Sequence, residues 1–285
     1  MKKLIVLLLV LALLPLSGMA ETVVTSFYPV WIITLNLAEG IDGLEVVNLA
    51  ESATGCLHDY TLRNSDMVAL SRADMLLING AGMESFLPVI TGAYPDLPVV
   101  DASAGIPLIL NEEGEPNSHL WLDPQRAAGM AANLAEGMIR LMPQYEEQIS
   151  SNLAAYRERL LEVDRQLRIG MENGAERQVI IFHEAFPYFA EACGVQVFAV
   201  VDKEPEDDLS SADLARILDR VRSEDPLPLI VKSTEEDRSV SVLVAETGAP
   251  VCELDPMVTG PDQPPPDYYE TVMLRNGRLL QAALQ

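Results

Sequence analysis

The chain has 285 residues, 49% of them hydrophobic and 22% charged. That composition is enough for a sizeable core and excludes a disordered chain. A formal net charge of −24 argues against nucleic acid as a partner, because phosphate binding needs a basic face.

In chain order, Lys2-Lys3 lead an apolar stretch from Leu4 to Leu16, followed by Gly18-Met19-Ala20. This is the pattern of an export signal with cleavage expected after Ala20. The stretch is short for a membrane span and Pro15 interrupts it; an uncleaved anchor is the alternative. The first cysteine is Cys56, so no cysteine follows the apolar stretch for lipid attachment. The chain is expected to be exported, to the periplasm or the outer face of the cytoplasmic membrane.

Residues 22–27 read as a strand, 31–40 as a helix closed by Gly40, and 44–50 as a strand. A helix follows over 64–73, capped by Asn64 or Ser65, then buried strands over 74–80 and 97–102. Asp123 caps the next helix, Pro124 suits its first position, and Pro143 ends it. From Gln144 to Met171 the sequence reads as one helix, about 40 Å long. It is either a rod joining two lobes or a core helix of a single domain. The alternation then resumes. Strands are expected at 178–182, 195–200, 227–232 and 250–254. Helices are expected at 184–193 (with Pro187 inside), at 210–224 (N-capped by serine) and at 234–247. For the last, Ser233 and Glu236 form a capping box and Gly248 ends the helix. Such alternation predicts parallel sheets flanked by helices. The expected fold class is α/β: two lobes, each with a parallel sheet, joined by one long backbone helix. The division is signal 1–20, N-terminal lobe 21–142, linking helix 143–173 and C-terminal lobe 174–285. Residues 110–118 and 260–269 read as an acidic loop and a rigid proline-rich loop.

The three cysteines, Cys56, Cys193 and Cys252, allow one bridge, with Cys193–Cys252 the favoured pair, or three buried thiols.

The chain holds three histidines, His58, His119 and His183. No local metal-ligand spacing joins them, so any site must be assembled from distant segments. His183 ends an apolar strand, at the sheet edge where ligands bind in open α/β folds. His58 lies in a loop after another strand, and His119 precedes the linking helices. Asp255 ends the last strand as His183 ends the first of its lobe. Three imidazoles and a carboxylate would form an N3O set suited to Zn(II). Taken singly, each histidine reads more readily as a hydrogen-bonded core residue than as a ligand, and Asp255 before Pro256 as a turn residue.

The wording of these segments resembles the metal-binding solute-binding proteins of ABC importers, the zinc and manganese uptake family. The carrying stretches are "GCLHDYTLRNSDMVALSRADMLLINGAGMESFL", "HLWLDP", "NLAAYRERLLEVD", "FHEAFPYFAEACGVQV" and "LDPM" with "YYETVMLRN". They fall in order over nearly the whole chain after residue 20. The resemblance places the four metal ligands on His58, His119, His183 and Asp255. It implies metal held between two lobes and delivery by a monomer to a membrane permease and its ATPase, with no enzymatic step. Three histidines favour zinc, since manganese prefers oxygen. Neutral imidazoles are needed, so affinity is expected to fall as pH drops toward and below the ordinary value of ~6.5. Three departures stand out. Cys56-Leu57 precede His58 where the family often has Ser and Pro. The loop before His119 is acidic and without histidine. Lys232 stands where the family often has Glu. Two other readings are a zinc hydrolase, with Glu184 or Asp59 as general base, and a metal-binding surface adhesin.

Overall fold

The computed structural model describes residues 20–50, 57, 60–111, 114–171, 178–201, 210–224, 228–234 and 238–285. Residues 1–19 of the expected export signal (1–20), Cys56, His58, Asp59 and Glu236 lie outside these residues.

Two four-stranded parallel sheets are built the same way. The first holds β1 (Glu21–Thr25), β2 (Leu44–Asn48), β3 (Met75–Ile78) and β4 (Val99–Asp101), in the order β2-β1-β3-β4. The second holds β5 (Val179–Phe182), β6 (Val197–Val201), β7 (Leu229–Ser233) and β8 (Val251–Leu254), in the order β6-β5-β7-β8. Parallel strands need crossovers, and the crossovers cover both faces. Of the central strands, β3 and β5 are apolar throughout: "MLLI" and "VIIF" are buried at every residue. In β5 alternate side chains serve two cores. Val179 and Ile181 join the main one. Ile180 and Phe182 join a smaller one with Val221, Ile230, Val240 and Leu243.

Helix α1 (Tyr28–Leu37) starts earlier than the pattern suggests, because Pro29 fits its first turn, and Gly40 lies beyond its end at φ 70°. Helix α2 (Asn64–Leu70) has Arg63 at its N-cap, and the Asp66 carboxylate accepts the Arg63 N–H at 2.7 Å. Neither Asn64 nor Ser65 is the cap. A short helix α3 (Leu87–Ala93) leads to β4. Helix α4 (Pro124–Leu141) is capped as expected, with Asp123 Oδ1 accepting from Gln125 N–H at 2.7 Å. After a 3-10 turn at Pro143–Tyr145, α5 runs unbroken over Glu146–Met171. At 26 residues it is about 39 Å long.

In the second half, α6 is Pro187–Cys193. Pro187 opens it rather than sitting inside, since a proline lacks the N–H an interior turn needs. Helix α7 (Ser211–Arg222) has the expected serine cap, Ser210, accepting from Asp213 N–H. Helix α8 (Arg238–Thr247) ends before Gly248, which adopts φ 69°. The final helix α9 (Tyr268–Leu284) follows the proline-rich loop and packs on α5 and β8. Among the described residues no helix is long and apolar enough to cross a membrane.

The main core is one continuous cluster that includes Val23 and Leu76 of the first sheet, Val231 and Leu254 of the second, and Tyr156 and Leu160 of α5. The sheets thus lie on either side of shared helices, and α5 is packed by α4 and α9 along its length.

Candidate metal centre

His183 is the first residue after β5. Its φ is 98°, rare for a residue with a β-carbon. The backbone leaves the sheet abruptly at its carboxyl edge, beside the point where β6 and β7 diverge on either side of β5. The imidazole is 7% exposed. Its Nδ1 accepts the Ala185 N–H at 3.1 Å.

His119 precedes a 3-10 turn, Leu120–Leu122, and is fully buried. Its ring lies 5.0 Å from the Trp121 ring and 5.8 Å, edge-on, from the ring of His183. Two of the three histidines, 64 residues apart in sequence, therefore meet. Ser118 is tied to the first lobe, its carbonyl accepting from Asn79 Nδ2 at 2.9 Å.

Asn117 joins the two histidine segments. Its Nδ2 donates to the Glu184 carbonyl at 2.6 Å, so its Oδ1 is the acceptor. That oxygen takes the His119 N–H at 2.9 Å and lies 3.2 Å from His119 Nδ1. The arrangement selects the tautomer with the proton on Nδ1 and the lone pair on Nε2. A metal-ligating histidine is commonly held this way, by a partner behind the ring. The Glu184 carboxylate stands 3.9 Å from the same Nδ1. Tyr188 of α6 completes the junction. Its hydroxyl donates to the Asn117 carbonyl at 2.8 Å and accepts from Ile109 N–H at 3.0 Å. Neither Asn117 nor Tyr188 stood out in the sequence. The asparagine two residues before His119 was the one available signal.

Asp255 follows β8. Asn276 of α9 brackets its backbone, accepting the Asp255 N–H at 3.0 Å and donating to the Asp255 carbonyl at 2.8 Å. Carboxylate Oδ1 accepts the Met257 N–H at 2.8 Å, and Oδ2 pairs with Arg275 at 2.5 Å. The segment is carried toward His119, for the Pro256 carbonyl accepts from Trp121 Nε1 at 2.9 Å. His58 lies outside the described residues; next to it, Leu57 is buried and its carbonyl accepts the Tyr60 N–H at 3.1 Å. Among the described residues, no group of three or more His, Cys, Asp or Glu is arranged to hold a metal.

Other departures acquire a physical account. Lys232 lies across β7–β8 from Glu253, with Nζ 3.0 Å from its carboxylate. On either side of the acidic stretch before His119, Leu110 and Pro116 form an isolated antiparallel bridge. Cys193 and Cys252 are both free thiols, so the favoured bridge is not formed. Cys193 ends α6 and Cys252 lies in β8, and burial pushes their pKa values up to about 12 and about 11.

A family model described as the zinc-uptake complex component A, periplasmic, matches residues 23–283. The zinc-binding lipoprotein AdcA of Streptococcus pneumoniae is 24% identical over 277 residues, covering 91% of this chain and 55% of AdcA; the chain spans about half of that relative. The high-affinity zinc uptake system protein ZnuA of Brucella abortus is 24% identical over 288 residues, covering 85% of each. The solute-binding protein FpvC of Pseudomonas aeruginosa, solved with Ni2+ and separately with Mn2+, has the same fold. Its TM-score is 0.82 at 22% identity, and the Ni2+ structure covers 93% of this chain and 97% of that one. With 261 of its residues spanned by the family model and its two like sheets built around shared helices, the chain belongs to the periplasmic zinc-uptake component A family, the metal-binding solute-binding proteins of ABC importers.

Proposed function

We propose that the chain captures one divalent transition metal, zinc in preference to manganese, on His58, His119, His183 and Asp255. As a monomer outside the cytoplasmic membrane, in the periplasm or at the membrane's outer face, it presents that metal to an ABC permease and its ATPase. Its working parts are the lobes over 21–142 and 174–285 and the helix over 143–173. The observation that carries this reading is the pair His119–His183, with rings 5.8 Å apart and supplied by different lobes. Asn117 behind His119 adds support, because accepting from Nδ1 leaves that ring's Nε2 with its lone pair for a ligand. Imidazole-rich sites suit zinc, and carboxylate-rich ones manganese. AdcA and ZnuA, named for zinc, point the same way.

The task is binding rather than chemistry. A metal shared between lobes stabilises the arrangement in which both sets of ligands converge, and that arrangement is what a permease would recognise. Four protein ligands fill a tetrahedral shell and leave no position for an activated water.

The test is competitive titration of the exported-length chain (residues 21–285) with Zn2+ and Mn2+, alongside His119→Ala and His183→Ala. The expected result is one tight zinc per chain, weaker manganese, and loss of at least 100-fold in zinc affinity in either variant. Stoichiometric manganese binding that outcompetes zinc would overturn the metal assignment. Binding indifferent to both histidines would overturn the site.

A further inference from the structure

Resting on the reading of Asp255 as a ligand, we infer that Arg275 is a built-in competitor for that carboxylate, which holds zinc affinity down and speeds release. The backbone at Asp255 cannot move independently of α9, because Asn276, fully buried, bonds both its N–H and its carbonyl. What remains variable is the carboxylate. One oxygen is held by the Met257 N–H, and the other by the guanidinium of Arg275, the residue before Asn276 on the helix. Asp255 is therefore neutralised by its own helix neighbour. Each carboxylate oxygen has a further lone pair, so metal and guanidinium can share the group. The single negative charge is then divided between them.

Arg275 is free to yield. Its side chain is 51% exposed. It lies with Asp255 and Glu253 in an open groove of about 810 Å³ between β8 and α9. A half-exposed ion pair contributes little to stability, so swinging the guanidinium into the groove costs the fold little. Its effect on a nearby dication is larger. A unit positive charge on the order of 6 Å from a doubly charged ion changes affinity by about tenfold even in water-like surroundings. The sign separates this role from another. An arginine that merely oriented the carboxylate would weaken binding on removal, whereas a competitor strengthens it.

The experiment measures Zn2+ affinity by chelator competition and Zn2+ dissociation by stopped flow in Arg275→Gln, Arg275→Lys, Asp255→Ala and the Arg275→Gln/Asp255→Ala double variant. Arg275→Gln is expected to bind zinc about tenfold tighter, with the gain in slower dissociation. Arg275→Lys should stay near the parent. Asp255→Ala should bind weakly, and adding Arg275→Gln should tighten it again in part, because the guanidinium charge repels the metal with or without the carboxylate. Improved binding is not an outcome that damage to the fold produces. If Asp255→Ala weakens zinc binding but Arg275→Gln leaves it unchanged or weaker, the competitor role is wrong while the ligand stands. If Asp255→Ala leaves zinc binding unchanged, the ligand assignment fails and the inference with it.

Discussion

At His183 the proposed role as a metal ligand and a conformational cost coincide. The residue needs φ 98° to turn the chain off β5, a region where a β-carbon is disfavoured and glycine is not. Sites that hold such strain tend to be functional ones. His183→Gly and His183→Ala remove the same imidazole but differ in this cost. The metal-free glycine variant is expected to be more stable than the alanine variant by about 1 kcal/mol. That figure is the left-handed penalty of about 1–2 kcal/mol less the entropy glycine recovers in the unfolded chain. Urea unfolding of the two apo variants checks it, and equal midpoints would show that the turn relaxes once the ring is gone. The histidine itself was legible in the sequence because it ends an apolar run at a strand edge. Its positive φ was not, for nothing in "FHEAF" signals a left-handed residue. Nor was Asn117, whose role appears only when the segment before His119 reaches the Glu184 carbonyl of the second lobe.

Among elements, the strands were the most legible, because buried parallel strands are uninterrupted apolar runs whose ends the turn residues mark. Errors gathered where a local rule has two readings. Pro187 can break a helix or begin one, and at α6 it begins one. The α2 cap went to Arg63 because Asp66 reaches back to its N–H, which satisfies the first turn from the other end. The close approach of α4 to β4 had no sequence signal beyond a glycine in a helix. At Gly137 an added β-carbon would lie 2.4 and 2.6 Å from the two Val100 methyls and 3.1 Å from Val100 Cβ. Valine on a strand has little freedom to step aside. Alanine would gain up to about 1 kcal/mol in helix propensity, whereas overpacking costs about 1–3 kcal/mol. Gly137→Ala is therefore expected to destabilise by on the order of 1 kcal/mol, read from the urea midpoint at unchanged slope. A variant more stable than the parent would mean that α4 can shift off β4 without loss.

For the whole molecule, the two sheets look like two domains by topology, but the packing joins them. The main core passes from the first sheet through α4, α5 and α9 to the second. Around it, polar contacts cross between the lobes. Arg126 pairs with Glu191 at 3.1 Å and lies over the Tyr188 ring. Tyr269 donates to the Trp121 carbonyl at 2.7 Å, and Tyr28 to that of Pro261 at 3.0 Å. A continuous core predicts one cooperative unit, in contrast with lobes joined by a flexible hinge, which unfold separately. Both tryptophans precede α4 in the chain; Trp31 fluorescence follows the first lobe, and Trp121, which donates to the Pro256 carbonyl, also reports its contact with the second. Far-ultraviolet circular dichroism follows both lobes. In urea the two signals are expected to trace a single coincident transition in the metal-free chain. A zinc concentration 100-fold above Kd should move both together by about 2.7 kcal/mol. A dichroism change that precedes the fluorescence change would place a boundary at the second lobe, whose smaller core around Phe182 and Ile230 is its own. The long helix would then be a hinge rather than a brace. Coincidence would mean that the metal of the proposed function meets lobes already held together, so that binding would be read out through small movements of the strand ends proposed to carry its ligands.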